Sequence, residues 1–180
     1  MSAVVIINRH TGDIGNDVND ITVENTVANQ IDEHQSDAIS SSNPIPIPRG
    51  IEINYSYWVS TRLTVVTAPA NIINNVRWYT NGAVLNTGVL TLVQIANIGN
   101  NNGYRQATSA IQLNTTNHTG LIDEPVDASS ITYDSPFILS GSISGTGAFS
   151  DFIVYQIEVT SSALSGVTAS TIFYWAFDET

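Results

Sequence analysis

The chain has no lysine and no cysteine, and charged residues make up only 12% of its 180 positions. Each shortage excludes something. Without cysteine there are no disulfides, no thiol catalysis and no thiolate metal sites. Without lysine there is no phosphate-binding lysine of the P-loop kind and no Schiff base. The five cations are Arg9, Arg49, Arg62, Arg77 and Arg105, against 16 acidic residues and a formal net charge of −11. A general nucleic-acid binder needs a basic footprint, and anionic membranes attract basic segments, so neither partner is expected. The acidity suits a positively charged partner surface instead. No apolar run approaches the length of a membrane span. The opening MSAVVIINRHTGD has no positive charge ahead of its short apolar run, so it is not read as a cleaved signal peptide. The expectation is a chain that stays in the cytoplasm or leaves the cell by another route.

What is present favours strands. Hydrophobic residues reach 42%, enough for a buried core. The polar remainder is rich in Asn, Ser and Thr, a composition better suited to strands and turns than to helices. From residue 51 onward short apolar runs alternate with turn chemistry. IEINYSYWVSTRLTVVTA places Ile51, Ile53, Tyr55, Tyr57 and Val59 on one side of a pleat. INNVRWYT follows, then Asn81-Gly82, a pair that tolerates the positive φ of tight hairpin turns. GVLTLVQIANI and YRQATSAIQL read as two further strands. Residues 114–135 read as a long loop that touches the core at Leu121 and Ile122. PFILSGSISG and FSDFIVYQIEVTS read as strands joined by a glycine turn, and TIFYWAF as the last strand. The sum is an all-β, antiparallel β-sandwich of jelly-roll or immunoglobulin-like type over residues 51–180.

Residues 1–50 read differently, as an extended N-terminal arm. AVVIIN is one short strand, NRHTGDIGNDVND is turn chemistry, and ITVENTVANQIDEH spaces Val23, Val27 and Ile31 as a weak helical face. In SSSNPIPIPRG, Pro44, Pro46 and Pro48 alternate with Ile45 and Ile47. Each proline fixes its own φ and extends the residue before it, which makes a stiff strut. Two isoleucines on a strut fit an apolar support, either as a linker, the favoured reading, or as an arm docked on a neighbour.

Few residues offer chemistry. His10, His34 and His118 lie far apart in polar stretches without metal spacing and read as exposed loop residues. Asp13, Asp17 and Asp20 fail the EF-hand pattern and read as turn residues, with an irregular calcium site left open. Asp123, Glu124 and Asp127 form an acidic loop, and a paired-carboxylate hydrolase is weighed there and set aside. Tyr55, Tyr57, Trp58, Trp78 and Tyr79 alternate with aliphatics, which favours core packing over sugar stacking. No catalytic, cofactor-binding or metal residue is assigned. The segment TIFYWAF carries Phe173, Trp175 and Phe177 on one face and Ile172, Tyr174 and Ala176 on the other. A strand apolar on both faces is either central in a sheet, the favoured reading, or turns one face to a partner. The candidate interface residues are therefore Ile45, Ile47, Phe173, Trp175 and Phe177.

Three stretches, NNVRWYTNGAVLNTGVLTL, FSDFIVYQIEV and TIFYWAFDET, resemble small β-rich virion structural proteins of tailed bacteriophages. In that group an aromatic strand followed by an acidic pair closes the chain. The resemblance covers residues 51–180. It implies a capsid decoration or cement protein that is not an enzyme, needs no cofactor, and works as a dimer or trimer on the major capsid protein after assembly in the host cytoplasm. A receptor- or carbohydrate-binding module of a tail fibre or surface adhesin is the alternative, favoured wherever exposed Trp or Tyr residues stand beside loop carboxylates.

Overall fold

The computed structural model describes residues 2–11, 22–25, 45–97, 103–139, 141–165 and 170–180. Ten strands are defined: β1 Val4–Thr11, β2 Thr22–Asn25, β3 Ile53–Tyr55, β4 Val59–Thr67, β5 Ile73–Thr80, β6 Val89–Ala96, β7 Val126–Asp127, β8 Phe137–Ile138, β9 Phe152–Thr160 and β10 Phe173–Glu179. The protein is all-β. Among the described residues the sole helical element is a single 3₁₀ turn, Ala128–Ser130. No helix among them is long and apolar enough to cross a membrane.

The strands form two antiparallel sheets. The larger runs β2-β1-β4-β9-β6-β7, with β3 also paired to β9; the smaller runs β10-β5-β8. They face each other across a core built from Val59, Leu63 and Val65 of β4, Val93 and Ile95 of β6, and Ile153 and Tyr155 of β9 on one side. Ile73, Val76 and Trp78 of β5 supply the other. Period-two alternation produces this directly. On β9, Ile153 and Tyr155 point to the sandwich interior, while Phe152 and Val154 point the opposite way.

That opposite face is also covered. Residues 103–121 fold over it as an irregular layer, placing Tyr104, Ala107, Leu113 and Leu121 against Trp58, Phe152 and Val154. The strand expected in YRQATSAIQL is therefore absent. Its alternating apolar residues pack as a loop, held by polar ties rather than by a ladder. The fully buried Gln156 is the main tie. Its Oε1 accepts from the Leu113 N–H at 2.7 Å, and its Nε2 donates to the carbonyls of Ser56 and Ile111 at 2.8 and 2.7 Å. The Trp58 indole N–H donates to the Arg105 carbonyl at 2.8 Å. With both faces covered, the central strand β9 is buried almost throughout.

Four other expectations are corrected. Residues 1–50 are not wholly an arm, because β1 pairs with β4 from Val4 to His10 inside the larger sheet. Thr22–Asn25, expected on a weak helix, is a strand paired with β1; Val27, Ile31 and the rest of that segment lie outside the described residues. The long strand beginning at Ile51 is two pieces, β3 and β4, lying end to end along β9 with a break at Ser56–Trp58. Ile51 is fully exposed and Ile53 is exposed at 42%, so the face expected there is buried in the core only from Val59, while Trp58 packs on the opposite side. Finally, Asn81-Gly82 does not close a hairpin, although Gly82 takes the positive φ of +70° and the Asn81 side chain accepts from the Ala83 N–H at 3.2 Å. It carries the chain from the smaller sheet to the larger one, since β5 and β6 belong to different sheets.

Candidate functional site

The two ends of the chain meet. β10 pairs with β5 from Phe173↔Thr80 to Glu179↔Ile73, and Glu179 Oε1 accepts from the backbone N–H of Ala3 at 2.9 Å. So the aromatic C-terminus has support, though not the kind expected. In its sheet β10 lies at the end of the strand order, not at the centre. Phe173, Trp175 and Phe177 turn inward and pack half-buried against the core. Phe173 sits 5.2 Å from Trp78 and 5.3 Å from Tyr155, ring centre to ring centre. These three candidate interface residues thus serve the core.

The strut splits the other two. Ile45 packs on its own domain, against Val89, Ile157, Val159 and Ala163, while Ile47 faces outward. The strut is fixed further by the Asn54 side chain, which donates to the Pro46 carbonyl at 2.8 Å.

What β10 turns outward is the more informative surface. Tyr174 is exposed, and opposite it on β5 stands Tyr79. Their rings stack with centres 5.1 Å apart and planes 18° apart. Tyr133, from the turn before β8, sets its ring edge-on to Tyr79 at 5.5 Å and is 71% exposed. Three tyrosines therefore run across the outside of the smaller sheet. Beside them Arg77 Nη2 donates to Asp178 Oδ1 at 2.9 Å, and the Asn75 amide donates to Asp178 Oδ2 at 2.7 Å. A bulge between Ala176 and Asp178 makes this clamp possible. It puts Asn75 at φ +49°, a left-handed conformation that asparagine tolerates.

The residues weighed for catalysis have local duties. Asp127 caps the 3₁₀ turn, accepting from the Ser129 N–H at 2.9 Å. Asp123 accepts from the Glu124 N–H, and the Glu124 carboxylate accepts from the backbone and hydroxyl of Thr115. Two histidines are corrected outright. His10 and His118, expected on exposed loops, are buried at 3% and 0% exposure. His10 lies against Phe152 and Tyr104, and His118 against Trp58. Burial, with Arg62 near the first and Arg105 near the second, lowers their pKa values to about 3 and about 4. They are neutral packing groups in the folded protein. His34, Asp13, Asp17 and Asp20 lie outside the described residues. Among those described, no three His, Asp or Glu side chains gather as a metal would need.

Trp58 and Trp78 are core residues, as their alternation implied, and Tyr57 is half-buried against the covering layer. Tyr79 does both: half-buried, it packs against the core cluster, and its ring also meets Tyr174 and Tyr133 on the outer side of the smaller sheet. Its outward direction follows from alternation with Trp78. Its meeting with Tyr174 and Tyr133 depends on a pairing between strands more than ninety residues apart, and no local pattern announces that. Fold and surface together define a two-sheet antiparallel β-sandwich with one sheet face covered by its own loop layer and an aromatic platform on the outside of the other sheet. No family model, curated protein or solved structure matches the chain.

Proposed function

We propose that the protein is a structural component of a tailed-phage virion, a decoration or cement protein of the shell whose work is contact rather than chemistry. The observation that carries this reading is where the three phage-like stretches fall. NNVRWYTNGAVLNTGVLTL holds most of β5 and the first half of β6, FSDFIVYQIEV holds most of β9, and TIFYWAFDET holds β10. β6 pairs with β9 and β5 with β10, so the resemblance lies on one hydrogen-bonded strand pair in each sheet. It follows the framework of the fold rather than scattered surface residues.

Physical features agree with such a role. Both faces of the central strand β9 are buried, and Ala3 is tied to Glu179 of β10, which makes a stiff unit. β1 is paired into the larger sheet, and Ile45 at the start of the strut packs on Val89, Ile157, Val159 and Ala163. The net charge of −11 complements a basic shell surface. A shallow recess beside Leu85 and Val89 holds about 10 Å³, room for a single water and not for a substrate.

The test is copy number. Quantitative mass spectrometry of purified particles should find the chain in fixed, high ratio to the major capsid protein. Presence at a handful of copies would move it to the tail, and absence from particles would end the virion reading.

A further inference from the structure

We infer that the tyrosine row on the outer face of the smaller sheet is a binding site for neutral, pyranose-based glycans. The inference stands apart from the virion reading. Glycan binding is a property of the isolated chain, so either can fail while the other holds.

The chemistry of the face points to this class of ligand. A sugar ring presents polarised C–H bonds on its faces and hydroxyls around its rim. The faces match the negative face of an aromatic ring, and the hydroxyls match planar polar side chains at its border. Both parts are present. Tyr174, Tyr79 and Tyr133 provide adjoining rings with centre spacings of 5.1 and 5.5 Å, and Tyr133 at 71% exposure leaves ring surface open. Arg77, two residues from Tyr79 on β5, and Asp178, four residues from Tyr174 on β10, stand beside them, partly exposed at 29% and 51%. Asp178 accepts one hydrogen bond on each oxygen, out of about four lone-pair sites. It can still accept from a hydroxyl without releasing its present partners.

The arrangement is prepared in advance. Mutual stacking restricts Tyr79 and Tyr174, and the Asn75–Asp178–Arg77 clamp holds the polar border, so little ordering remains to oppose binding. Charge selects among glycans. Arg77 is neutralised by Asp178, and the exposed Asp134 adjoins Tyr133, so the described residues that build this face offer no free cation for a sulfate, phosphate or sialic acid carboxylate. Neutral hexose and N-acetylhexosamine chains are the class that fits. The core-directed face of the same strand, Phe173, Trp175 and Phe177, takes no part.

The experiment is an array of immobilised gluco-, galacto-, manno- and N-acetylhexosamine oligosaccharides with anionic glycans alongside, probed with the full chain. Binding confined to neutral members is expected. On the best of them, Tyr133→Ala and Tyr174→Ala should each weaken affinity roughly tenfold, and Tyr133→Phe should keep most of it, because stacking survives loss of the hydroxyl. Saturation-transfer NMR on the unmutated chain should place sugar protons against tyrosine rings, which reads the site even if a variant misfolds. A blank neutral panel, binding of anionic glycans alone, or neutral binding indifferent to both alanine variants would each overturn the assignment.

Discussion

Gln156 is the point at which the loop layer is fastened to the larger sheet, and replacing it with leucine tests that role. Leucine keeps the bulk and loses three hydrogen bonds. The Leu113 N–H and the Ser56 carbonyl are left buried without those partners, and the Ile111 carbonyl is left partly so. Orphaning a buried group costs about 1–3 kcal/mol, and a part-buried bond about 1. The expected loss is therefore about 4 kcal/mol, set against a total stability of roughly 5–15 for a domain. The variant should fold and be visibly weaker. With a guanidinium slope of roughly 4 kcal/mol per molar, the unfolding midpoint falls by about 1 M. Trp58 reports on the same layer through its bond to the Arg105 carbonyl, so its fluorescence should shift with the transition. Gln156→Glu keeps an acceptor for Leu113 but turns a charge toward two carbonyl oxygens, so it should be at least as destabilising at neutral pH. A Gln156→Leu midpoint within about 0.25 M of the parent would refute the reasoning and make the layer self-supporting.

Three further outcomes are expected. His10 and His118 have folded-state pKa values lowered from 6.5 to about 3 and about 4, so the unfolded chain takes up protons first; their contribution is complete above pH 6.5 and is lost as pH falls toward those values. Thermal melts from pH 7 to pH 4 should show this decline, and a His10→Gln/His118→Gln double variant should show a shallower one. Gly88 has φ +77°, and a Cβ there would lie 2.4 Å from the Ala163 nitrogen, so Gly88→Ala should cost about 2 kcal/mol or more by chemical denaturation. Removing residues 173–180 uncovers Trp78 and deletes three half-buried aromatics, at roughly 100 Å² and about 2.5 kcal/mol each; circular dichroism should find the truncated chain unfolded, and a native-like spectrum would contradict the structural role of β10.

The sandwich was legible because its strongest strands obey period two without interruption. FIVYQIEV alternates cleanly and is β9; TIFYWAF divides into an inward Phe-Trp-Phe face and an outward Tyr face, as its order implies. Where the reading missed, a tertiary partner had overruled a local pattern. YRQATSAIQL has strand-like alternation, but Gln156 and Trp58 take up its backbone groups, so it packs as a layer. Asn81-Gly82 has hairpin chemistry, but β5 pairs with β10 at the far end of the chain and not with β6. His10 and His118 stand among polar neighbours in sequence and among Phe152, Tyr104 and Trp58 in space. For the site the same limit holds more strongly. Alternation sets Tyr174 opposite the Phe-Trp-Phe face and Tyr79 opposite Trp78, whereas Tyr133 in the long loop carried no local signal and the assembly of all three on one face depended on register between distant segments.

The bond between Ala3 and Glu179 has an architectural consequence. Chain entry and exit share one corner of the domain. Joined by a short linker, the two ends should tolerate circular permutation, with new termini opened at the glycine-rich turn 145–147. By the same geometry the whole unit can be inserted into a surface loop of another protein, standing out as a side lobe without forcing apart the strands on either side of it.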